Sequence, residues 1–177
     1  MTSRLTDHNF PTLKTDRLLL RGITDFDLKH IFKGLSHPDV IRYYGISFDT
    51  LEATQEQMAW FADEKQMWWA ICSPDNQTFY GAGGLNAIDY EDNKAEIGFW
   101  LLPQFWGKGI MKEALPLISD YGLNQLQLNR IEGFIETENI NCIKAITKLD
   151  FRYEKTIQDY EIKNGKSIHV DVYIKTI

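Results

Sequence analysis

Gln104-Phe105-Trp106-Gly107-Lys108-Gly109 follows directly on a run, Ala95 to Leu102, that reads as a strand, and precedes a segment that reads as a helix from about Gly107. A turn from strand to helix leaves the first helical N–H groups without partners. Glycines at 107 and 109 let the backbone approach a ligand closely, and the exposed N–H groups together with the helix dipole hold phosphate oxygens without a basic side chain. The stretch therefore predicts an anion site, although an ordinary glycine-rich turn has the same letters. Two other phosphate motifs fail on spacing. A Walker loop needs Gly-Lys-Ser/Thr after a fixed interval, and Gly107-Lys108-Gly109 lacks it. A dinucleotide fingerprint needs a third small residue at 112, where Lys112 stands, and Gly81-Ala82-Gly83 runs into a hairpin instead of a helix.

Upstream of the stretch, Leu18 to Arg21 predicts a first strand. Thr24, with Asp25 and Asp27 behind it, starts a helix to about Leu35, stopped by Ser36-His37-Pro38. Asp39 to Tyr44 reads as a short further turn, and Leu51 to Lys65 as a helix capped by Asp49 or Thr50. The period then changes. Met67 to Cys72, Phe79 to Ile88 and Ala95 to Leu102 predict three consecutive antiparallel strands, with turns at Pro74-Asp75-Asn76 and Asp92-Asn93. Downstream, a strand over Arg130 to Ile135 precedes a helix capped near Thr137 or Asn139. Two closing strands, Phe151 to Glu161 and Ser167 to Lys175, flank the hairpin pair Asn164-Gly165. With no repeat and no linker, the expectation is one α+β domain over residues 1–177 with a largely antiparallel sheet.

Composition limits the function classes. The chain has 177 residues, 44% of them hydrophobic, enough for a core. A net charge of −6 without a basic stripe argues against nucleic acid and leaves amines as allowed partners. Met1 to Phe10 has no apolar core of signal-peptide length, and Ile97 to Pro103 is far short of the roughly 20 residues that span a bilayer. Cys72 and Cys142 form no disulfide framework, which suits a reducing compartment, so a cytoplasmic protein is expected. His30, His37 and His169 have no ligand-like spacing, so no metal is expected. Trp68, Trp69, Trp100 and Trp106 read as core or as the lining of an acceptor pocket.

The order strand, Q-x-x-G-x-G, helix resembles the coenzyme A pyrophosphate loop of the GNAT acetyltransferases. Asn139-Ile140-Asn141-Cys142 through Asp150-Phe151 resembles the family's downstream N-x-x-A/S…G-F signature. Thr15-Asp16-Arg17-Leu18-Leu19-Leu20-Arg21 with Asp39-Val40-Ile41-Arg42-Tyr43 resembles the RimJ/RimL-like branch, which acetylates protein N-termini. The likeness covers roughly residues 12–175. It implies a GNAT-like sheet of about six or seven strands flanked by about four helices. The sheet would splay between the strands 95–102 and 130–135, with acetyl-CoA in the gap. Backbone of Phe99, Trp100 and Leu101 would pair with pantetheine. Gln104, Phe105, Trp106, Gly107, Lys108, Gly109, Ile110 and Met111 would cradle the pyrophosphate, and Asn139 would bond the pantetheine arm or a phosphate.

The resemblance also implies the chemistry, aminolysis of a thioester, with an amine acceptor that is a protein N-terminus or, as the rival, a small amine or antibiotic. A non-catalytic acyl-CoA-binding module is the reading outside catalysis. Glu96, in Ala95-Glu96-Ile97-Gly98, stands where several relatives carry their base, and a carboxylate can take a proton from an α-amino group whose ordinary pKa is near 8. The family's acid tyrosine, seven residues after the Asn, is Ile146 here. Cys142 stands where related chains often have Ser, and could donate a weak S–H bond to the leaving thiolate. Asp150 replaces a family glycine, which predicts altered turn geometry, and Pro116 predicts a kink in the helix after the loop. The oligomeric state is left open, with a dimer as one option.

Overall fold

The computed structural model describes residues 10–177, so the expectation for Met1 to Phe10 lies outside the described residues except at Phe10. Eight strands form one sheet: β1 (Leu13–Lys14), β2 (Leu19–Gly22), β3 (Met67–Cys72), β4 (Phe79–Asp89), β5 (Lys94–Leu101), β6 (Arg130–Glu136), β7 (Arg152–Lys163) and β8 (Lys166–Thr176), in the order β1-β2-β3-β4-β5-β6-β8-β7. The strand beyond the expected six or seven is β1, whose two residues are too short for any period to show. Five α-helices are described: α1 (Leu28–Leu35), α2 (Pro38–Ile41), α3 (Gln55–Phe61), α4 (Ile110–Asp120) and α5 (Ile140–Thr147). The additional one is the four-residue α2, where only a turn was expected.

Period-two alternation sorts the side chains to two cores. Trp69 and Ile71 of β3 join Ala95, Ile97 and Leu101 of β5 in a core with α4 and Ile146 of α5. Trp68, Ala70 and Cys72 join Trp100 in the core that α1, α2 and α3 complete. A helix layer on each face explains why β3 reads as unbroken hydrophobic sequence. Glu96, Gly98 and Trp100 thus share the face carrying α1 to α3.

Four local features bear on the sequence reading. The helix expected over Leu51 to Lys65 is regular only over Gln55–Phe61, after a turn in which the Thr50 hydroxyl accepts from the Ala53 N–H at 3.0 Å. The helix expected from Gly107 starts at Ile110, because Gly107 (φ 72°) and Gly109 (φ 76°) are left-handed and cannot belong to it. Asp150 adopts φ 65° itself, so the turn keeps a left-handed residue without glycine. Pro116 sits inside α4, which runs on to Asp120 and then widens into a π-helical turn over Tyr121–Gln125.

The feature that makes the site is a fork. β5 and β6 are the parallel pair in an otherwise antiparallel sheet, joined only over Lys94–Glu96 and Arg130–Glu132. Beyond Glu96, β5 pairs only with β4 and β6 only with β8. Ile146, fully buried, fills the crotch: a Cβ on Gly133 would lie 2.9 Å from its Cδ1. The position where the resemblance looked for an acid thus holds a plug.

Candidate active site

The fork opens into a cleft of about 1030 Å³. Glu96, Phe99, Trp100, Leu101, Phe105, Trp106, Gly107, Lys108, Gly109, Ile110, Met111, Asn139 and Cys142 all line it. Gln104 does not. It is exposed in the 3-10 turn Pro103–Phe105, which turns it away from the lining. Trp106 is anchored by its indole N–H, which donates to the Leu101 carbonyl at 2.9 Å and closes the end of β5. Past it the chain reaches Gly109, behind which the first amides of α4 have no helical acceptors. The loop expected to hold an anion therefore lies at the mouth of the fork.

Asn139 is the N-cap of α5, its Oδ1 accepting from the Cys142 N–H at 3.2 Å. The oxygen is thus committed to the helix, and the amide NH₂ is the group that a ligand can engage. Burial pushes the Cys142 thiol up to about 12. It stays protonated at neutral pH and can share its hydrogen with a leaving sulfur. A thiol raised by burial is a poorer proton donor than one in water. A thiol held in that form can at most offer a weak S–H hydrogen bond.

Glu96 is half-buried at the last rung of the parallel pair. Its Oε2 accepts from the Asn86 side-chain NH₂ at 3.1 Å across β4 and β5. Burial, chiefly, raises its carboxyl above the usual carboxylate range, with the charge of Glu132 adding to this and the Asn86 bond opposing it. A carboxylate shifted that way is a stronger base than one in water.

Sequence reasoning missed Asn86, which needed the β4–β5 register, and Trp60, which closes the same wall. Trp68 lies across the paired glycines Gly84 and Gly98: a Cβ on either would fall 2.6 or 2.7 Å from its ring. Trp60 packs on it edge to face with centroids 5.8 Å apart. The Trp68 indole N–H is buried without a hydrogen-bond partner among the described residues. Tyr43 and Tyr44 line the same side, and burial, chiefly, raises the Tyr44 phenol above its ordinary value. Of the other tryptophans, Trp69 is core, its N–H donating to the Pro11 carbonyl at 2.8 Å, and Trp100 is buried against Phe79. No group of three or more His, Cys, Asp or Glu able to hold a metal ion occurs among the described residues, and none of the helices described is long and apolar enough to cross a membrane.

Comparison with known proteins points the same way. Residues 17–152 match the acetyltransferase (GNAT) domain family. The chain is 32% identical to the uncharacterized N-acetyltransferase YoaA of Bacillus subtilis over 93% of this chain and 96% of that one. It is 34% identical to the uncharacterized N-acetyltransferase p20 of Bacillus licheniformis, over 92% and 93%. Among solved structures, the spermidine N-acetyltransferase of Vibrio cholerae, in complex with CoA and spermine, superposes with a TM-score of 0.84 at 19% identity. That match covers 92% of this chain and 96% of that one.

Proposed function

Since the chain belongs to the acetyltransferase (GNAT) domain family and is an acetyl-CoA-dependent N-acetyltransferase, we propose that its acceptor is the α-amino group of a protein or peptide. We further assign it a cytoplasmic setting and one catalytic domain spanning the chain. The observation that carries the catalytic reading is Glu96, a desolvated carboxylate held by Asn86 at the fork. In the proposed reaction the amine nitrogen attacks the thioester carbonyl carbon. Glu96 takes the N–H proton directly or through one water, and backbone N–H groups of β5 near Phe99 to Leu101 hold the oxyanion. The C–N bond forms, the C–S bond breaks, and the thiolate leaves beside the Cys142 S–H.

Two features favour a peptide over a polyamine. An α-amino group, with an ordinary pKa near 8, is far more easily made neutral by one carboxylate than an alkylamine near 10. The cleft lining also holds Arg42, Lys108, Lys112 and Lys148 against the carboxylates of Asp39, Glu96 and Glu136, the last already paired with Lys163, which suits a polycation poorly.

The test is thiol release from acetyl-CoA with a panel of peptides of varied N-terminal residue, spermidine, spermine and an aminoglycoside. Peptides are expected to turn over with kcat/KM at least about tenfold above the small amines, a difference of about 1.4 kcal/mol. Preferred turnover of a small amine overturns the acceptor assignment, and CoA binding without turnover of any amine overturns catalysis.

A further inference from the structure

The opening segment Thr15 to Arg17 reaches back to the anion loop, though about ninety residues separate them in sequence. The Thr15 hydroxyl donates to Glu113 Oε2 at 2.9 Å and accepts from the Leu18 N–H at 3.0 Å, which fixes its direction. Arg17 Nε lies 2.7 Å from the other oxygen, Glu113 Oε1. With both carboxylate oxygens held, the guanidinium extends Nη2 to the Lys108 carbonyl, donating at 2.9 Å. The same Nη2 lies 3.6 Å from where a Cβ on Gly109 would stand. One planar fork thus bridges the first turn of α4 and the peptide bond that ends the loop.

That peptide bond is planar and trans, so the Gly109 N–H points opposite to the Lys108 carbonyl. Gripping the oxygen therefore aims the hydrogen. We propose that Arg17, locked by Thr15 and Glu113, is a positioning residue for the coenzyme A phosphates, turning the Lys108–Gly109 peptide so that the Gly109 N–H faces a pyrophosphate oxygen. The proposal rests on the acetyl-CoA reading above. The ion pair is half open to solvent, 54% and 32% exposed, where such pairs add little to stability. Lys108, whose carbonyl it grips, is exposed and otherwise rests its ammonium over the Phe105 ring at 5.4 Å, while a Cβ on Gly107 would touch nothing within 4 Å. A carboxylate at Glu113 would on its own oppose an anion at this helix start. Its tie to Arg17 turns it into an anchor instead.

The experiment uses the full chain with CoA alone, by calorimetry, and with acetyl-CoA and an acceptor in steady state. Arg17→Gln should raise the CoA Kd by about five- to twentyfold, or roughly 1–2 kcal/mol, and raise the acetyl-CoA KM in parallel, with kcat and the acceptor KM within about twofold. Arg17→Lys keeps the charge but cannot bridge two acceptors in this geometry, so it should not rescue affinity. Glu113→Gln separates the clamp from simple electrostatics. Loss of a negative charge beside an anion should tighten binding, whereas loss of the anchor should weaken it. Hydrogen exchange of the peptide covering residues 104–111 should accelerate in the ligand-free Arg17→Gln protein. Wild-type affinity in Arg17→Gln or Arg17→Lys, tighter binding in Glu113→Gln, or unchanged exchange overturns the clamp. If the wild-type chain binds no CoA, the cofactor reading fails, and the exchange comparison still decides whether Arg17 orients the loop.

Discussion

Replacing Gly109 with alanine isolates backbone conformation from size. At φ 76° an L-residue carries a left-handed penalty of roughly 1–2 kcal/mol, while the added Cβ meets nothing closer than Arg17 Nη2 at 3.6 Å, an ordinary contact. The loop residues before it, Trp106 to Lys108, are exposed, so the loop should relax out of the strained conformation when empty and return to it only on binding. The penalty then falls on affinity. It corresponds to an acetyl-CoA Kd raised about five- to thirtyfold, measurable by calorimetry. Gly165 supplies the control. At φ 75° in the β7–β8 turn, with no atom within 4 Å of a Cβ, its alanine variant bears the same strain far from the cleft. Gly165→Ala should lower Tm by about 2–8 °C and leave Kd unchanged. An unchanged Kd in Gly109→Ala refutes the reasoning that this loop bears the conformational cost of binding phosphate.

Glu96→Gln should cut kcat by roughly 10²-fold while leaving the acetyl-CoA Kd as it is, with the acidic limb of the pH–rate profile moved to higher pH; wild-type kcat and pH dependence in the variant remove Glu96 as base. Its stability should change in the opposite sense. The folded state raises this carboxyl, so the contribution of the protonated form is fully present below the unfolded value near 4.3 and is lost as pH rises through the folded value. Melting curves should therefore show the Gln variant more stable at pH 7 and equal to wild type below about pH 4. Gly34→Ala sets two effects against each other: a helix-propensity gain of about 1 kcal/mol, and a Cβ 2.1 Å from Trp100 Cζ3. Trp100 is buried and must move, so overpacking of roughly 1–3 kcal/mol or more should win and lower Tm, and a more stable variant contradicts that packing. Asp150→Gly removes a left-handed side chain and should raise stability by up to about 1 kcal/mol, read as a Tm a few degrees higher.

Where a local rule dictates the structure, the sequence was legible. Asn164-Gly165 turns β7 into β8 with both φ positive, as that dipeptide demands. Asn139 could be read as a cap because its side chain bonds three residues on. Gly107 and Gly109 marked the loop, though not that their left-handed backbone delays the helix to Ile110. What escaped depends on register and on distance along the chain. Asn86 faces Glu96 because β4 bulges beyond it, with Ala87 at φ 49°, and nothing in an alanine announces that conformation. The Thr15–Glu113 contact spans 98 residues and follows no periodicity. The resemblance led to Ile146 as a missing acid, whereas packing makes it the wedge of the fork.

That wedge has a mechanical consequence. A forked sheet has two inner edges as well as the outer ones at β1 and β7, and unpaired strand edges ordinarily invite another chain. Here α4 and α5 flank the gap, so only a slender ligand can slip between the two leaves. Lys94–Glu96 and Arg130–Glu132 are the rungs of backbone pairing between the two leaves. A molecule bonded to both edges acts as a rivet across the open end. Packing already couples the leaves through one buried core that joins Ile97 to Ile131, Ile135 and Tyr173, and a ligand bonded to both edges would add to that coupling.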